Sequence, residues 1–356
     1  MLFKGLKIGD LVAKLPIIQG GMGVGISSSS LAAAVAKCGG VGIISTAQIG
    51  YDEDDFEKKP IEANLRALKK HILKAKEECK NGIIGINIMV ATRYYEEHVK
   101  VALEAGVDLI ISGAGIPRNL PKLVEGYNVK IAPIVSSVKA AELILRVWDK
   151  KYNRIPDVIV VEGPRAGGHL GFNNEELENI ESLDFNKTVK DILELKRTYE
   201  EKYKKHISIV PAGGIYSGED IANYLKLGAD GVQMATRFVA TKECDAHINF
   251  KMAYVNARKE DIGIVKSPVG MPGRAVKNDF ILKVSKEKEK ITRCYNCLIP
   301  CDPTKTPYCI SKALISSVKG NIDDGLIFIG DNGYKIDKIT TVKELMDELV
   351  EGIERA

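Results

Sequence analysis

The sequence predicts a (β/α)8 TIM barrel with a C-terminal Cys-containing extension. Two patterns carry that prediction: eight short runs rich in Ile and Val, and longer amphipathic stretches between them. The short runs are apolar almost throughout, as strands buried on both faces of a parallel sheet must be. The length of 356 residues adds a third observation, leaving room for one barrel of about 250 residues and an appended region. An open doubly wound sheet would usually stop short of eight strands.

In chain order, strands are expected at residues 16–19, 41–46, 83–90, 108–112, 130–135, 157–162, 207–212 and 231–234. Helical stretches lie between them at 30–37, 62–80, 94–105, 139–150, 187–204 and 218–227. Two segments fall outside this repeat. Residues 172–185 form an acidic insertion after the sixth strand, on the face where barrels carry their active-site loops. From about Val276 the chain becomes a Cys-containing tail ending in a helix over 341–355. The expected division is a barrel over 1–275 and an extension over 276–356 packed on it.

The formal charge of +4 is small for this length, and no basic stripe interleaved with aromatics points to nucleic acid. No apolar run reaches the roughly 18 residues of a membrane span. The first sixteen residues carry Lys4, Lys7, Asp10 and Lys14, which does not read as a signal peptide. A cytoplasmic enzyme with a small-molecule substrate is the expectation. Cys38, Cys79 and Cys244 are scattered and expected to be reduced thiols.

The loops after strands seven and eight have the makings of a phosphate site. The seventh strand ends in Pro211-Ala212-Gly213-Gly214-Ile215, and Ser217 then opens a helix. The eighth reads through Gln233-Met234-Ala235-Thr236. Glycines let backbone approach a phosphate closely, and the Thr236 hydroxyl adds a donor. The first strand ends in Gln19-Gly20-Gly21-Met22-Gly23-Val24-Gly25. It fails as a dinucleotide fingerprint, because position 28 is Ser and no acidic residue follows at the required distance. It reads better as a bare-backbone floor under a flat ring, with Met22 as a soft contact and Ser27 to Ser30 as helix caps. Asn87, near the end of the third strand, suits either the polar edge of a heterocycle or a tie to a neighbouring loop.

Five histidines are present. His71, His98 and His206 sit in charged helical surroundings and are expected to be solvated, while His247 is ambiguous. His169 lies in Arg165-Ala166-Gly167-Gly168-His169-Leu170-Gly171, flanked by glycines on the catalytic face. Its side chain can move a proton or steady negative charge; the plainer alternative is a bond to a loop carbonyl.

Residues 16–23, the Gly-Ile-Asn at 85–87, Ala-Gly-Gly-His-Leu-Gly at 166–171, Pro-Ala-Gly-Gly-Ile at 211–215 and the run at 228–238 resemble the nitronate monooxygenase (formerly 2-nitropropane dioxygenase) family. That family includes the flavin-dependent enoyl-acyl-carrier-protein reductase II. The likeness covers roughly residues 10–275 and implies an FMN-bound barrel. By it, Gly213, Gly214, Gln233, Ala235 and Thr236 hold the FMN phosphate end. Gly21, Met22 and Asn87 border the isoalloxazine, and His169 faces the substrate. Ala235 stands where the family usually has Gly. Pro164-Arg165 replaces the commoner acidic-and-small pair, which bears on substrate preference.

The resemblance implies oxidation of small alkyl nitronates by FMN and O2, with His169 as base or electrostatic partner and Arg165 drawing in the anion. The alternative within the family is NAD(P)H-driven reduction of an enoyl thioester, with acyl carrier protein as partner. A third reading, from another class, is a flavin- or metal-binding regulatory protein. Purine-nucleotide dehydrogenases share such phosphate loops but need a loop cysteine, and none occurs between Cys79 and Cys244. The tail carries Cys294, Cys297, Cys301 and Cys309. Four thiolates suffice for a zinc ion or an iron–sulfur cluster, although the spacing is not that of a zinc ribbon. The plainer reading is buried or redox-labile thiols.

Overall fold

A computed structural model describes residues 3–356 and closes eight parallel strands into a barrel. The strands are β1 (Ile17–Gln19), β2 (Val41–Ser45), β3 (Ile83–Met89), β4 (Leu109–Gly113), β5 (Lys130–Val135), β6 (Val158–Glu162), β7 (Ser208–Ala212) and β8 (Val232–Met234). β6 pairs β7, and β8 returns to β1 through Val232, Gln233 and Met234 against Ile17, Ile18 and Gln19.

Alternate residues of each strand separate two cores. Ile18, Val41, Ile43, Leu109, Ile111, Val158, Val160 and Val210 fill the barrel interior. Ile44, Ile84, Ile86, Ile110, Ile159 and Ile209 face the outer helices. Burial on both sides is why the strands read as unbroken apolar runs. An N-terminal hairpin (Leu6–Ile8 with Leu11–Ala13), which the sequence did not announce, joins the interior core through Leu6 and Ile8. Three aspartates just ahead of strands staple this end of the barrel. The carboxylates of Asp108, Asp157 and Asp230 accept the N–H groups of Ile84, Ile131 and Ile209 at 2.8–3.0 Å.

The outer helices are α1 (Ser29–Lys37), α2 (Pro60–Cys79), α3 (Tyr95–Glu104), α4 (Leu120–Leu123), α5 (Val138–Tyr152), α6 (Phe185–Tyr203), α7 (Gly218–Leu227) and α8 (Val342–Arg355). The last is the helix read as part of the tail. It belongs to the outer ring, burying Leu345, Met346 and Leu349 against Leu31 and Val35 of α1 and Ile221 of α7. The barrel repeat is thus interrupted between β8 and α8, and the intervening chain folds over the strand ends. That interruption holds a hairpin, β9 (Ile262–Lys266) with β10 (Pro272–Val276), which crosses the expected 275/276 division. β10 also pairs with Gly168–His169.

The serines before α1 do not cap it. Ser28 occupies the N-cap position, but its side chain makes no capping bond. The Asp245 carboxylate accepts the N–H groups of Ser28 and Leu31 instead. Ser217 does cap α7, in a reciprocal arrangement with Asp220. No helix among the described residues is long and apolar enough to cross a membrane.

Candidate active site

At the C-terminal ends of the strands lies a cavity of about 490 Å³. Gly21, Met22, Asn87, His169, Gly213, Gly214, Gln233, Ala235 and Thr236 all line it, so all nine residues singled out in the sequence meet at one place.

The β7 and β8 loops form one wall. Gly213 and Gly214 have φ of +93° and +78°, a left-handed conformation that side chains resist. A Cβ at Gly213 would stand 2.9 Å from the Ala166 nitrogen. Opposite, the Thr236 hydroxyl accepts the Gly330 N–H at 3.1 Å, leaving its own proton to give. Asn332 donates to the Gly214 carbonyl. Gly330 and Asn332 come from the segment between β8 and α8, more than ninety residues along the chain, so no local pattern marked them. Gln233 Oε1 is buried without a hydrogen-bond partner among the described residues.

The loop after β1 is the floor. A Cβ on Gly21 would lie 2.3 Å from the Asn87 Cβ. Bare backbone at Gly21 is what lets the first-strand loop sit against β3. Asn87 is half-buried at the cavity wall.

His169 is held by the β9–β10 hairpin. Its Nε2 lies 2.6 Å from Ser267 Oγ, and its ring meets Phe328 edge-on with centroids 5.0 Å apart. Burial alone brings its pKa down to about 4, so the imidazole is neutral at neutral pH. The preceding loop is fixed by Arg274, which is 3 % exposed and donates to the carbonyls of Pro164 and Ala166 at 2.7 Å. Glu162, the last residue of β6, also lines the cavity, and burial raises its carboxyl to about 7. It sits at the end of an otherwise apolar strand, a signal the sequence reading passed over.

Two expectations need correction. Arg165 lines the cavity, but its guanidinium is bound by the carboxylates of Asp331 and Glu181. Its charge is answered within the protein, which leaves it poorly placed to draw in an anion. Arg93, at the loop after β3, lines the same cavity and has no carboxylate partner among the described residues; its Nε donates to the Leu298 carbonyl at 3.3 Å. His98 is not solvated: it is 2 % exposed, its Nδ1 lies 2.7 Å from the Tyr94 carbonyl, and it borders the cavity. It lies on the buried face of α3 with Tyr95 and Val99, while its charged neighbours Glu96, Glu97 and Lys100 are exposed.

The cysteine segment closes the β3 side. Leu298 bridges Thr92, the Arg93 N–H donates to the Cys297 carbonyl at 3.0 Å, and the Ile299 N–H to that of Ala91 at 2.8 Å. Cys297 itself lines the cavity. All seven cysteines are free.

A family model described as nitronate monooxygenase matches residues 5–352. A probable nitronate monooxygenase of Staphylococcus saprophyticus is 26% identical over 305 residues, covering 80% of this chain and 81% of that protein. A Staphylococcus aureus protein of the same description is 26% identical over 297 residues, covering 77% and 79%. Among solved structures, FabK from Thermotoga maritima superposes with a TM-score of 0.72 at 25% identity, covering 96% of this chain and 93% of that one. A nitroalkane oxidase from Streptomyces ansochromogenes shares the fold, with a TM-score of 0.73 at 18% identity and coverage of 98% and 97%.

Proposed function

Because this chain belongs to the nitronate monooxygenase family and is an FMN-dependent oxidoreductase, we propose that it oxidises small alkyl nitronates with O2. The residues present fit FMN. Positive-φ glycines at 213 and 214 and the free hydroxyl proton of Thr236 suit a phosphate, and the unpartnered Gln233 Oε1 suits a donor on the flavin or its ribityl chain. Gly213, Gly214, Ala235 and Thr236 would hold the phosphate, with Gln233 beside them, and Gly21, Met22 and Asn87 would border the ring. When bound, FMN supplies the two-electron chemistry and the reaction with oxygen.

The observation that carries this reading is the neutral, half-buried His169 in the cavity wall. Val269 N–H donates to Ser267 Oγ at 3.4 Å, and we assign the Ser267 hydroxyl as the donor to Nε2, 2.6 Å away. The imidazole then carries its hydrogen on Nδ1. Such a ring is a weak base and a good donor, suited to a substrate that arrives already as an anion. His169 therefore binds and orients the nitronate oxygens, and the β9–β10 hairpin helps keep water away. Arg93 supplies the unanswered positive charge. The test is oxygen uptake with propyl-2-nitronate by the FMN-loaded protein; no uptake and no bleaching of the flavin would sink the proposal.

A second reading draws on the likeness to FabK over 96% of this chain. In it, the chain would reduce an enoyl thioester at the expense of NAD(P)H, with acyl carrier protein as partner and the hydride chemistry supplied by FMN when bound. Anaerobic bleaching by NAD(P)H, reversed by crotonyl thioester, would favour it over nitronate oxidation.

A further inference from the structure

The cavity wall across from His169 is built differently. β2 lies four strands round the barrel from β6, so the loop after β2 stands on the far side of the mouth from the histidine. Among the described residues no three His, Cys, Asp or Glu side chains, the four tail cysteines included, stand close enough to hold a metal ion. What this wall does hold is a chain of hydrogen bonds through Asn64, Gln48 and Ser311, all buried and all lining the cavity.

The direction of the chain is fixed at its start. The Gly50 N–H can only donate, and it lies 2.8 Å from Asn64, so it selects Oδ1 of that amide. Bare backbone permits the approach, since a Cβ at Gly50 would stand 2.5 Å from the Ala63 carbonyl carbon. Asn64 Nδ2 then donates to Gln48 Oε1 at 2.7 Å, and Gln48 Nε2 donates to Ser311 Oγ at 3.0 Å. Gln48 reaches both partners from a left-handed backbone, φ +47°, which a residue with a side chain keeps only where its surroundings hold it.

The chain ends in a proton left to give. Ser311 Oγ is already an acceptor, and no acceptor for its own hydrogen meets it in hydrogen-bond geometry among the described residues. Cys297 stands nearby, but burial raises its thiol above the ordinary range, and a neutral thiol accepts weakly. Ser311 is 3 % exposed and belongs to the helix Ile310–Val318, in the segment that folds over the strand ends. The Thr92 hydroxyl, at the loop after β3, is also buried without a partner and lines the same cavity. Ile61, Leu298, Ile310 and Leu314 supply apolar lining. A plain alkyl chain among them would leave both hydroxyls without a partner, a costly outcome for buried polar groups.

We propose that the Ser311 hydroxyl is a substrate contact, donating to a carbonyl oxygen on the non-reacting part of the substrate, with Gln48 and Asn64 as its positioning residues. The donors here are uncharged hydroxyls, which suit a neutral oxygen. The assignment rests on the nitronate reading for the reacting group alone.

The test pairs 5-nitro-2-pentanone with 1-nitropentane, which differ by the carbonyl. For each neutral nitro compound, Kd is read from the perturbed flavin absorption of the FMN-loaded protein; for each nitronate, kcat/KM is read from oxygen uptake. The parent should favour the ketone by about five- to tenfold in both. Ser311→Ala should bring the ratio within about twofold, mainly by weakening the ketone, and Ser311→Thr should keep most of the preference. Gln48→Glu tests the direction of the chain. Its carboxylate still accepts from Asn64 but also takes the Ser311 proton, so the preference should vanish although the hydroxyl remains. A parent ratio below about twofold overturns the proposal, as does an undiminished ratio in Ser311→Ala. A changed flavin spectrum in ligand-free Ser311→Ala would put the hydroxyl on the flavin and overturn it too. If neither nitronate turns over, the nitronate reading fails while the Kd ratio still decides this one. If Ser311→Ala fails to fold and loses FMN, Gln48→Glu and the parent ratio decide.

Discussion

His169 Nε2 lies 2.6 Å from the hydroxyl of Ser267, a residue 98 positions further along the chain. The bond ties the loop after β6 to the β9–β10 hairpin, and it fixes which ring nitrogen can face the cavity. Ser267→Ala leaves the imidazole neutral but unanchored. We expect a fall of about tenfold in kcat/KM, and about 10²–10⁴-fold for His169→Ala, each with FMN binding retained. An unchanged rate with nitronate in His169→Ala would remove the histidine from the reaction.

Two half-buried groups in the cavity wall should set the pH dependence of stability in opposite senses. The Glu162 carboxyl is raised from 4.5 to about 7. Between those values the folded protein holds a proton that the unfolded chain has lost, so stability falls as pH rises. His169 is lowered from 6.5 to about 4. Between those values the unfolded chain binds the proton, so stability falls as pH drops. Glu162→Gln abolishes only the first effect. Its Tm relative to the parent apoprotein should be about 2–4 °C more favourable at pH 8 than at pH 4.5. An equal difference at both pH values would show that Glu162 titrates normally.

What the sequence revealed follows from how local each feature is. β2, β3 and β6 were legible because burial on both faces leaves unbroken Ile and Val runs. Nine cavity residues were legible because strand-end glycines and polar residues sit beside those runs. Ser267, Arg274 and Gly330 act on the same loops from the segment between β8 and α8. Only the tertiary fold brings them there, and nothing in their own neighbourhoods marks it. α8 was legible as a helix but not as part of the ring, since its partner strand lies about a hundred residues before it.

The two arginines of the cavity should behave differently. Arg165 is neutralised by Asp331 and Glu181, whereas Arg93 has no carboxylate partner among the described residues. Arg93→Gln should raise KM for propyl-2-nitronate about tenfold with kcat little changed, as loss of one charge-assisted contact implies. Arg165→Gln should alter KM by less than about threefold. Steady-state kinetics at two ionic strengths separates them, and the reverse ranking would reinstate Arg165 as the anion contact.

The floor of the cavity leaves no space for a methyl group. A Cβ on Gly21 would stand 2.3 Å from that of Asn87 and 3.1 Å from Ile43 Cγ2. Gly21→Ala must push the first-strand loop off β3 or displace Asn87. FMN affinity should drop by at least about tenfold, equivalent to 1.4 kcal/mol, read from flavin fluorescence on titration. Far-ultraviolet circular dichroism should stay unchanged. Parent-like affinity would mean the ring does not rest on this loop.

α8 completes the outer ring only if it carries real packing energy. Leu349 is fully buried beside Leu345, Met346 and Ile221. At the crossing with α7 the backbones nearly touch, since a Cβ on Gly218 would lie 2.3 Å from the Leu349 carbonyl oxygen. Removing the Leu349 side chain leaves a cavity that two abutting helices cannot collapse around. Leu349→Ala should therefore cost about 2–5 kcal/mol in denaturant unfolding. Gly352→Ala, whose new Cβ would lie 2.9 Å from the Gly218 Cα, should destabilise by forcing the helices apart. Leu282→Ala, at a side chain 50 % exposed, serves as the control and should stay within about 0.5 kcal/mol. A loss in Leu349→Ala no larger than in that control would mean that α8 is an appended helix rather than the eighth helix of the barrel.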